Sequence, residues 1–423
     1  MGPFPEPEPS PGPMAPGPVH PAEADLVARL RQRGREAGLS AVGIAPATPM
    51  EDARRALEQR KAAGLDGGMQ FTYRNPARST EPDRVLPGAA ALVVGAWWYG
   101  GTGPAAADDG PEADDGRPRG RVARYAWRDF YAELRAALGQ LAGVLAEAGW
   151  ASRVVADDNA LVDRAAAVRA GLGWYGKNSN VLVPGEGSWF VLGAVVTDAP
   201  LPADVPVTDD CGPCRRCLGA CPTGALVEPG VLDARRCLAW LLQAPGVFPF
   251  EHRAALGDRI YGCDDCQDVC PPNRVVLRAR LLLAPEPRDR TGVDLLDMLA
   301  ATDTELMTLY GRWYISGRDP RYLRRNALIA LANTADGASP VVGPTVRRYL
   351  ACPDELLRAH AVWAALRLGR GDLLEGAVDG PCPPPVDDTS ALVRAELNRR
   401  SEVVPAAPAS SNGAVSQIGP GRG

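Results

Sequence analysis

The chain has 423 residues, 46% of them hydrophobic, and a formal net charge of −5. That apolar content supports two or three domains with real cores, and the charge excludes a globally basic nucleic-acid binder. No apolar run reaches the length of a membrane span, and the presence of only three histidines argues against a histidine-built catalytic metal site.

In chain order, "MGPFPEPEPSPGPMAPGPVHP" lacks a basic n-region and an apolar h-region. Residues 1–21 therefore read as a disordered Pro-rich arm, not a signal peptide, and a cytoplasmic location is expected. An amphipathic helix ending at Gly38 follows, then a strand. "AAALVVGAWWYG" (89–100) has the pattern of a buried strand, and the Gly/Pro/Asp-rich residues 101–120 that of a mobile loop. The periodicity predicts a long helix over 129–148, a strand over 152–156 and a short helix over 160–170. Residues 180–201 read as two strands joined by the loop PGEG. Residues 22–204 are thus an α+β domain.

Residues 205–285 form a cysteine module. Beyond residue 293 the pattern is helical: "LRRNALIALANT" begins at Leu323 and "LRAHAVWAALRL" at Leu357, 34 positions later. That offset fits paired-helix repeats over 293–372, or else two unrelated amphipathic helices. Residues 373–423 read as a mostly disordered tail with a short helix over 390–400.

Eight of the ten cysteines fall between 211 and 270. In a long chain without an export signal this argues for metal-bound thiolates over disulfides. "CGPCRRCLGACP" places Cys211, Cys214, Cys217 and Cys221 before Pro222, the spacing of a ferredoxin run. "YGCDDCQDVCPP" repeats the last three positions with Cys263, Cys266 and Cys270, but Ile260 stands where the first cysteine belongs. In two-cluster ferredoxins the fourth cysteine of a run ligates the other cluster. The expected sets are therefore Cys211, Cys214, Cys217 and Cys270 for one [4Fe–4S] cluster, and Cys221, Cys263 and Cys266 for the second. Cys237 is left to complete the second set. Four-cysteine zinc sites also use C-x2-C pairs, yet the compact run followed by proline fits zinc poorly. Cys352 and Cys382 read as ordinary thiols. Two clusters side by side make an electron wire, which by itself would suit a non-catalytic ferredoxin-like electron-transfer protein.

"CGPCRRCLGACPTGAL", "RIYGCDDCQDVCPPN", "RAGLGWYGKNSNVL", "GSWFVLGAVVTDAPL" and "LRRNALIALAN" together resemble the epoxyqueuosine reductases, over about residues 22–370. These are cobalamin-dependent iron–sulfur enzymes that complete queuosine at the tRNA wobble position. The resemblance implies a nitroreductase-like cobalamin-binding domain, a ferredoxin-like double [4Fe–4S] module and C-terminal HEAT-like repeats. Electrons would pass through both clusters to cobalamin, which would open the epoxide. The partners implied are an anticodon stem-loop and an external low-potential donor such as ferredoxin or flavodoxin, serving a monomer. Reductive dehalogenases share the cofactor plan and are the alternative, but they carry a twin-arginine signal that this N-terminus lacks.

The resemblance also assigns residues. Asp157 matches the proton donor; read from the residues alone, Asp157, Asp158 and Asn159 could simply cap the next helix. Arg78, Ala123, Arg124, Asp157, Lys177, Asn178, Val181, Leu192, Ala239 and Asp264 match cobalamin contacts. Ala239 and Phe130-Tyr131 depart from the family's usual residues. Gly171 and Gly173 suggest a turn where backbone approaches a ligand. Ten arginines against four acidic residues between Arg312 and Arg370 suit phosphate contact or a solvated helical face. With the resemblance, Arg318, Arg321, Arg324 and Arg325 become candidates for tRNA docking.

Overall fold

The computed structural model describes residues 21–100, 117–283, 292–375 and 387–406. The N-terminal arm, residues 101–116 of the glycine-rich loop, and Cys382 lie outside the described residues. In chain order the strands are β1 (Ala41–Pro46), β2 (Ala91–Trp98), β3 (Arg119–Val122), β4 (Ser152–Ala156), β5 (Trp174–Tyr175), β6 (Val181–Leu182), β7 (Phe190–Thr197), β8 (Leu226–Glu228), β9 (Val231–Leu232), β10 (Arg259–Tyr261) and β11 (Gly292–Asp294). The central sheet has the order β1-β2-β7-β4, and each neighbouring pair is antiparallel.

Both faces of that sheet are covered, which explains the unbroken apolar run of β2. On one face Val93 and Val195 pack with Leu134, Leu138 and Leu141 of the helix Phe130–Glu147 and with Leu30 of the helix Pro21–Glu36. On the other, Leu92, Val94 and Val196 pack with Ala166 and Ala167 of the helix Asp163–Arg169. Alternate residues of one strand serve opposite layers, as the period of two requires. The expected strands over 180–201 are present, but they do not pair with each other. β6 pairs with β5, because β7 has both edges occupied by β2 and β4.

The expected domain boundaries are crossed by a second sheet. β3 lies parallel to β10 and antiparallel to β11, so strands from the N-terminal domain, the cysteine module and the start of the helical region share one ladder. Arg119 and Gly120 are therefore strand residues, not loop. Ile260 is fully buried in β10, in the same core as Leu295, Leu328 and Val362. A residue needed there by the core cannot be a cluster ligand, which accounts for the incomplete second run.

Beyond it, the helices Arg321–Thr334 and Glu355–Arg367 lie in one apolar core, with Val342–Leu350 packed beside them. The 34-residue offset is thus two helices of one body. The helix Ala391–Asn398 also docks there, through Glu396 on Arg253. This part of the expected tail is ordered because it closes a buried charge. Among the described residues no helix is long and apolar enough to cross a membrane.

Candidate active site

The thiols of the cysteine module fall into two groups. Cys211, Cys214 and Cys217 lie close enough to act electrostatically on Cys270, whose thiol is pushed up to about 11, first by burial. Cys263, Cys237 and Cys221 act in the same way on Cys266, whose thiol burial pushes well above its usual range. Backbone N–H groups point at the sulfurs. Ala225 N–H donates to Cys221 Sγ at 3.2 Å, and Ala239 and Trp240 donate to Cys237, which precedes the short helix Leu238–Leu241. A short helix start supplies such donors without a side chain. Among the described residues no three His, Cys, Asp or Glu side chains converge to hold a single metal ion. A cluster that brings its own iron and sulfide spreads its thiolates more widely.

Asp157 follows β4 with φ +53, a left-handed backbone uncommon for a non-glycine residue. It is exposed, within electrostatic reach of Tyr261. Partial desolvation holds its carboxyl above the usual range, Arg135 opposes this, and Asp129 and Asp158 add to it. Asp158 Oδ1 accepts from Ala160 N–H at 2.8 Å, so the capping role of this acidic pair belongs to Asp158. Tyr131 lies within electrostatic reach of Asp157 and of Asp163, the first residue of the helix Asp163–Arg169. Arg164 acts on Tyr99, Tyr131, Asp163, Tyr175 and Cys237, so one guanidinium lies within electrostatic reach of both the acidic cluster and the second thiol group.

A cleft of about 170 Å³ is lined by Arg121, Ala123, Arg124, Trp127, Gly262, Cys263, Asp264 and neighbouring side chains. Asp264 Oδ2 accepts from Arg124 N–H at 2.8 Å. Burial dominates and raises its carboxyl to about 6. The Nε atoms of Arg121 and Arg259, both lining this cleft, are buried without a hydrogen-bond partner. Buried donors without acceptors are costly.

Other expected contacts lie elsewhere. Lys177 Nζ donates to the carbonyls of Gly212 and Cys214, and Asn178 Nδ2 to Cys266 O, so this loop ties down the cysteine runs. Gly171 and Gly173 approach protein backbone: a Cβ there would meet Val205 O at 2.5 Å and Leu182 O at 1.9 Å. Val181 and Leu192 are buried in the core beside the helix Asp163–Arg169, and Arg78 is exposed on the helix Pro76–Thr80. Cys352 donates to Asp354 O, away from both thiol groups.

Of the four arginines expected on RNA, Arg325 is a correction. It is 1% exposed, and its guanidinium donates to the carbonyls of Leu241, Ala244 and Gly246. A buried guanidinium fixed to backbone holds the cysteine module on the helical region and cannot reach a phosphate. Arg324 is committed to Asp303 and Ala301 O. Arg318 and Arg321 are solvent-facing, Arg321 beside Asp319 and Asp354. Sequence reading missed Asp163, because an acidic residue in the first turn of a helix ordinarily serves the helix dipole.

Residues 210–273 match the family described as a 4Fe-4S double cluster binding domain. The chain is 33% identical over 371 residues to an epoxyqueuosine reductase of Bacillus cereus, covering 87% of this chain and 94% of the relative. A second relative of that name, from Xanthomonas campestris, is 36% identical over 83% of this chain and 98% of its own. A crystal structure of epoxyqueuosine reductase with an epoxyqueuosine-modified tRNA-Tyr stem loop superposes with a TM-score of 0.76 at 29% identity, covering 90% of this chain and 99% of that one.

Proposed function

The chain belongs to the epoxyqueuosine reductase family, and on that premise we propose that it reduces epoxyqueuosine to queuosine in tRNA, with Asp157 as the proton donor. One observation carries the reading. A strained aspartate with a raised carboxyl lies within electrostatic reach of Tyr261, which adjoins the cleft lined by Cys263 of a double-cluster domain.

Bound cobalamin would supply the nucleophilic two-electron chemistry, and two [4Fe–4S] clusters its electrons. Arg121, Ala123, Arg124, Arg259 and Asp264 would hold the corrin. Cys211, Cys214, Cys217 and Cys270 would hold one cluster, and Cys221, Cys237, Cys263 and Cys266 the other. The role of Asp157 follows from chemistry: an epoxide C–O bond that breaks develops charge on oxygen, and a neutral carboxyl nearby can protonate it. Its raised carboxyl keeps the proton to higher pH than an ordinary aspartate would. We read the helical region as HEAT-like and the central sheet domain as nitroreductase-like. Arg318 and Arg321 then meet the phosphates of a stem-loop whose modified base turns toward Asp157, in a cytoplasmic monomer served by an external donor. Family membership decides against the dehalogenase and pure electron-transfer alternatives.

The test is anaerobic reconstitution with iron, sulfide and cobalamin, followed by incubation with reductant and epoxyqueuosine-containing tRNA. Mass spectrometry of the digested nucleosides is expected to show queuosine. Cofactor-loaded protein that leaves epoxyqueuosine unchanged refutes the reading.

A further inference from the structure

This inference rests on the proposed reaction and concerns its proton balance. Removing the oxygen of an epoxide as water breaks two C–O bonds, forms one C=C bond and consumes two electrons and two protons. The reductant of the proposed reaction supplies the electrons. One carboxyl at the reacting bond holds only one proton.

The loop that carries Asp157 ends in a second carboxyl for which nothing above has a use. Asp157 and Asp163 bracket a single loop that is fixed along its length. Val162 N–H donates to Ser79 O at 3.0 Å, Ser79 Oγ to Asn159 O at 2.6 Å, and Ala160 N–H to Asp158 Oδ1. The two carboxyls are held near each other and near Tyr131, which feels both. Asp163 Oδ1 is buried and has no hydrogen-bond partner. A carboxylate in that position would be unsatisfied on a desolvated oxygen, so the neutral acid is the form the site accepts. The groups facing Asp163 are Asp157 and Asp158 from the loop, Arg164 from its own helix, Tyr131 from the helix Phe130–Glu147, and Tyr175 from β5. Arg164 alone favours ionisation; burial and the two aspartates oppose it and prevail, holding the carboxyl well above its usual range.

We propose that Asp163 is the proton reserve of this site, holding the second proton and returning it to Asp157 after the first has gone to the epoxide oxygen. The Tyr131 hydroxyl, which can accept one proton while giving up its own, is the group available to carry it. Asp163 thus acts through Asp157 and does not touch the substrate. After two transfers the oxygen leaves as water, and solvent reprotonates the pair at the exposed Asp157.

Two measurements decide this. Infrared spectra of the protein without tRNA, at neutral pH, are expected to show a neutral carboxylic acid band that is lost in Asp163→Asn and kept in Asp157→Asn. Single-turnover conversion is expected to slow by about 10²-fold in Asp163→Asn, the low end for a lost acid. Its pH profile should lose one ionisation, and Asp163→Glu should restore both. An unchanged infrared band, or a wild-type rate and profile in Asp163→Asn, overturns the proposal. If Asp163→Asn does not fold, the infrared spectrum of Asp157→Asn decides: no neutral carboxyl band at neutral pH overturns it equally. Failure of the wild type to form queuosine overturns the underlying reaction instead, and appears in the nucleoside digest rather than the infrared band.

Discussion

Buried polar groups in the helical region and around the candidate site are treated in opposite ways. In the first, the buried arginines Arg253, Arg325 and Arg358 are matched. Arg253 is 0% exposed, binds both oxygens of Glu396 at 2.8 and 2.6 Å and donates to Phe248 O. Arg358 is paired with Asp388 and donates to Pro353 O, and Arg325 is spread over backbone carbonyls. Around the candidate site, Asp163 Oδ1 and the Nε atoms of Arg121 and Arg259 are buried without partners. Satisfied polar burial fixes one arrangement, here the seating of the cysteine module on its helical support. Unsatisfied polar burial calls for an explanation, which for Asp163 Oδ1 is the proton it holds.

That contrast can be broken by substitution. Glu396→Ala leaves Arg253 buried and unpaired, a change that costs about 3–5 kcal/mol. Chemical denaturation should show that loss, and an unchanged midpoint would place Arg253 among the unsatisfied groups. A smaller effect concerns His360, fully buried with Nε2 accepting from Phe248 N–H at 3.2 Å and Nδ1 facing Leu356 O at 2.7 Å. Burial, then Arg253, hold its imidazole well below the usual range. Unfolded, the same histidine takes up a proton below about pH 6.5. The unfolded state then binds more protons than the fold, so stability falls as pH drops through that value. The slope approaches about 1.4 kcal/mol per pH unit. His360→Gln, still able to accept from Phe248, should flatten this part of the curve. Smallest of all is Asp163→Asn, which breaks no hydrogen bond at Oδ1. Its unfolding free energy at neutral pH should not fall below that of wild type, because the variant no longer keeps protonated in the fold a carboxyl that ionises in the unfolded chain, and a large loss would move Asp163 to the structural side.

The parts of this arrangement legible in the sequence are those set by local pattern. The helix expected over 129–148 forms over Phe130–Glu147, and β4 occupies the expected 152–156. The cysteine spacing also anticipates the two thiol groups, with Cys237 beside Cys221 and Cys266. What stayed hidden depends on distant chain. Nothing local in "RGRV" announces a strand that needs β10 and β11 for partners. Arg325 and Arg324 are adjacent in an arginine-rich stretch, and only the packing of Leu241–Gly246 against that helix makes one fully buried while the other stays partly exposed. The resemblance offers Lys177 as a cobalamin contact, and the structure sets its ammonium on carbonyls of the first cysteine run.

The central claim is that Asp157 gives the proton on which epoxide opening depends, and the most direct measurement is single-turnover conversion of epoxyqueuosine-containing tRNA by reconstituted Asp157→Asn, with iron and cobalamin content determined on the same sample. The account predicts full cofactor loading with conversion slowed by about 10²–10⁴-fold. Conversion at the wild-type rate by fully loaded Asp157→Asn would contradict it.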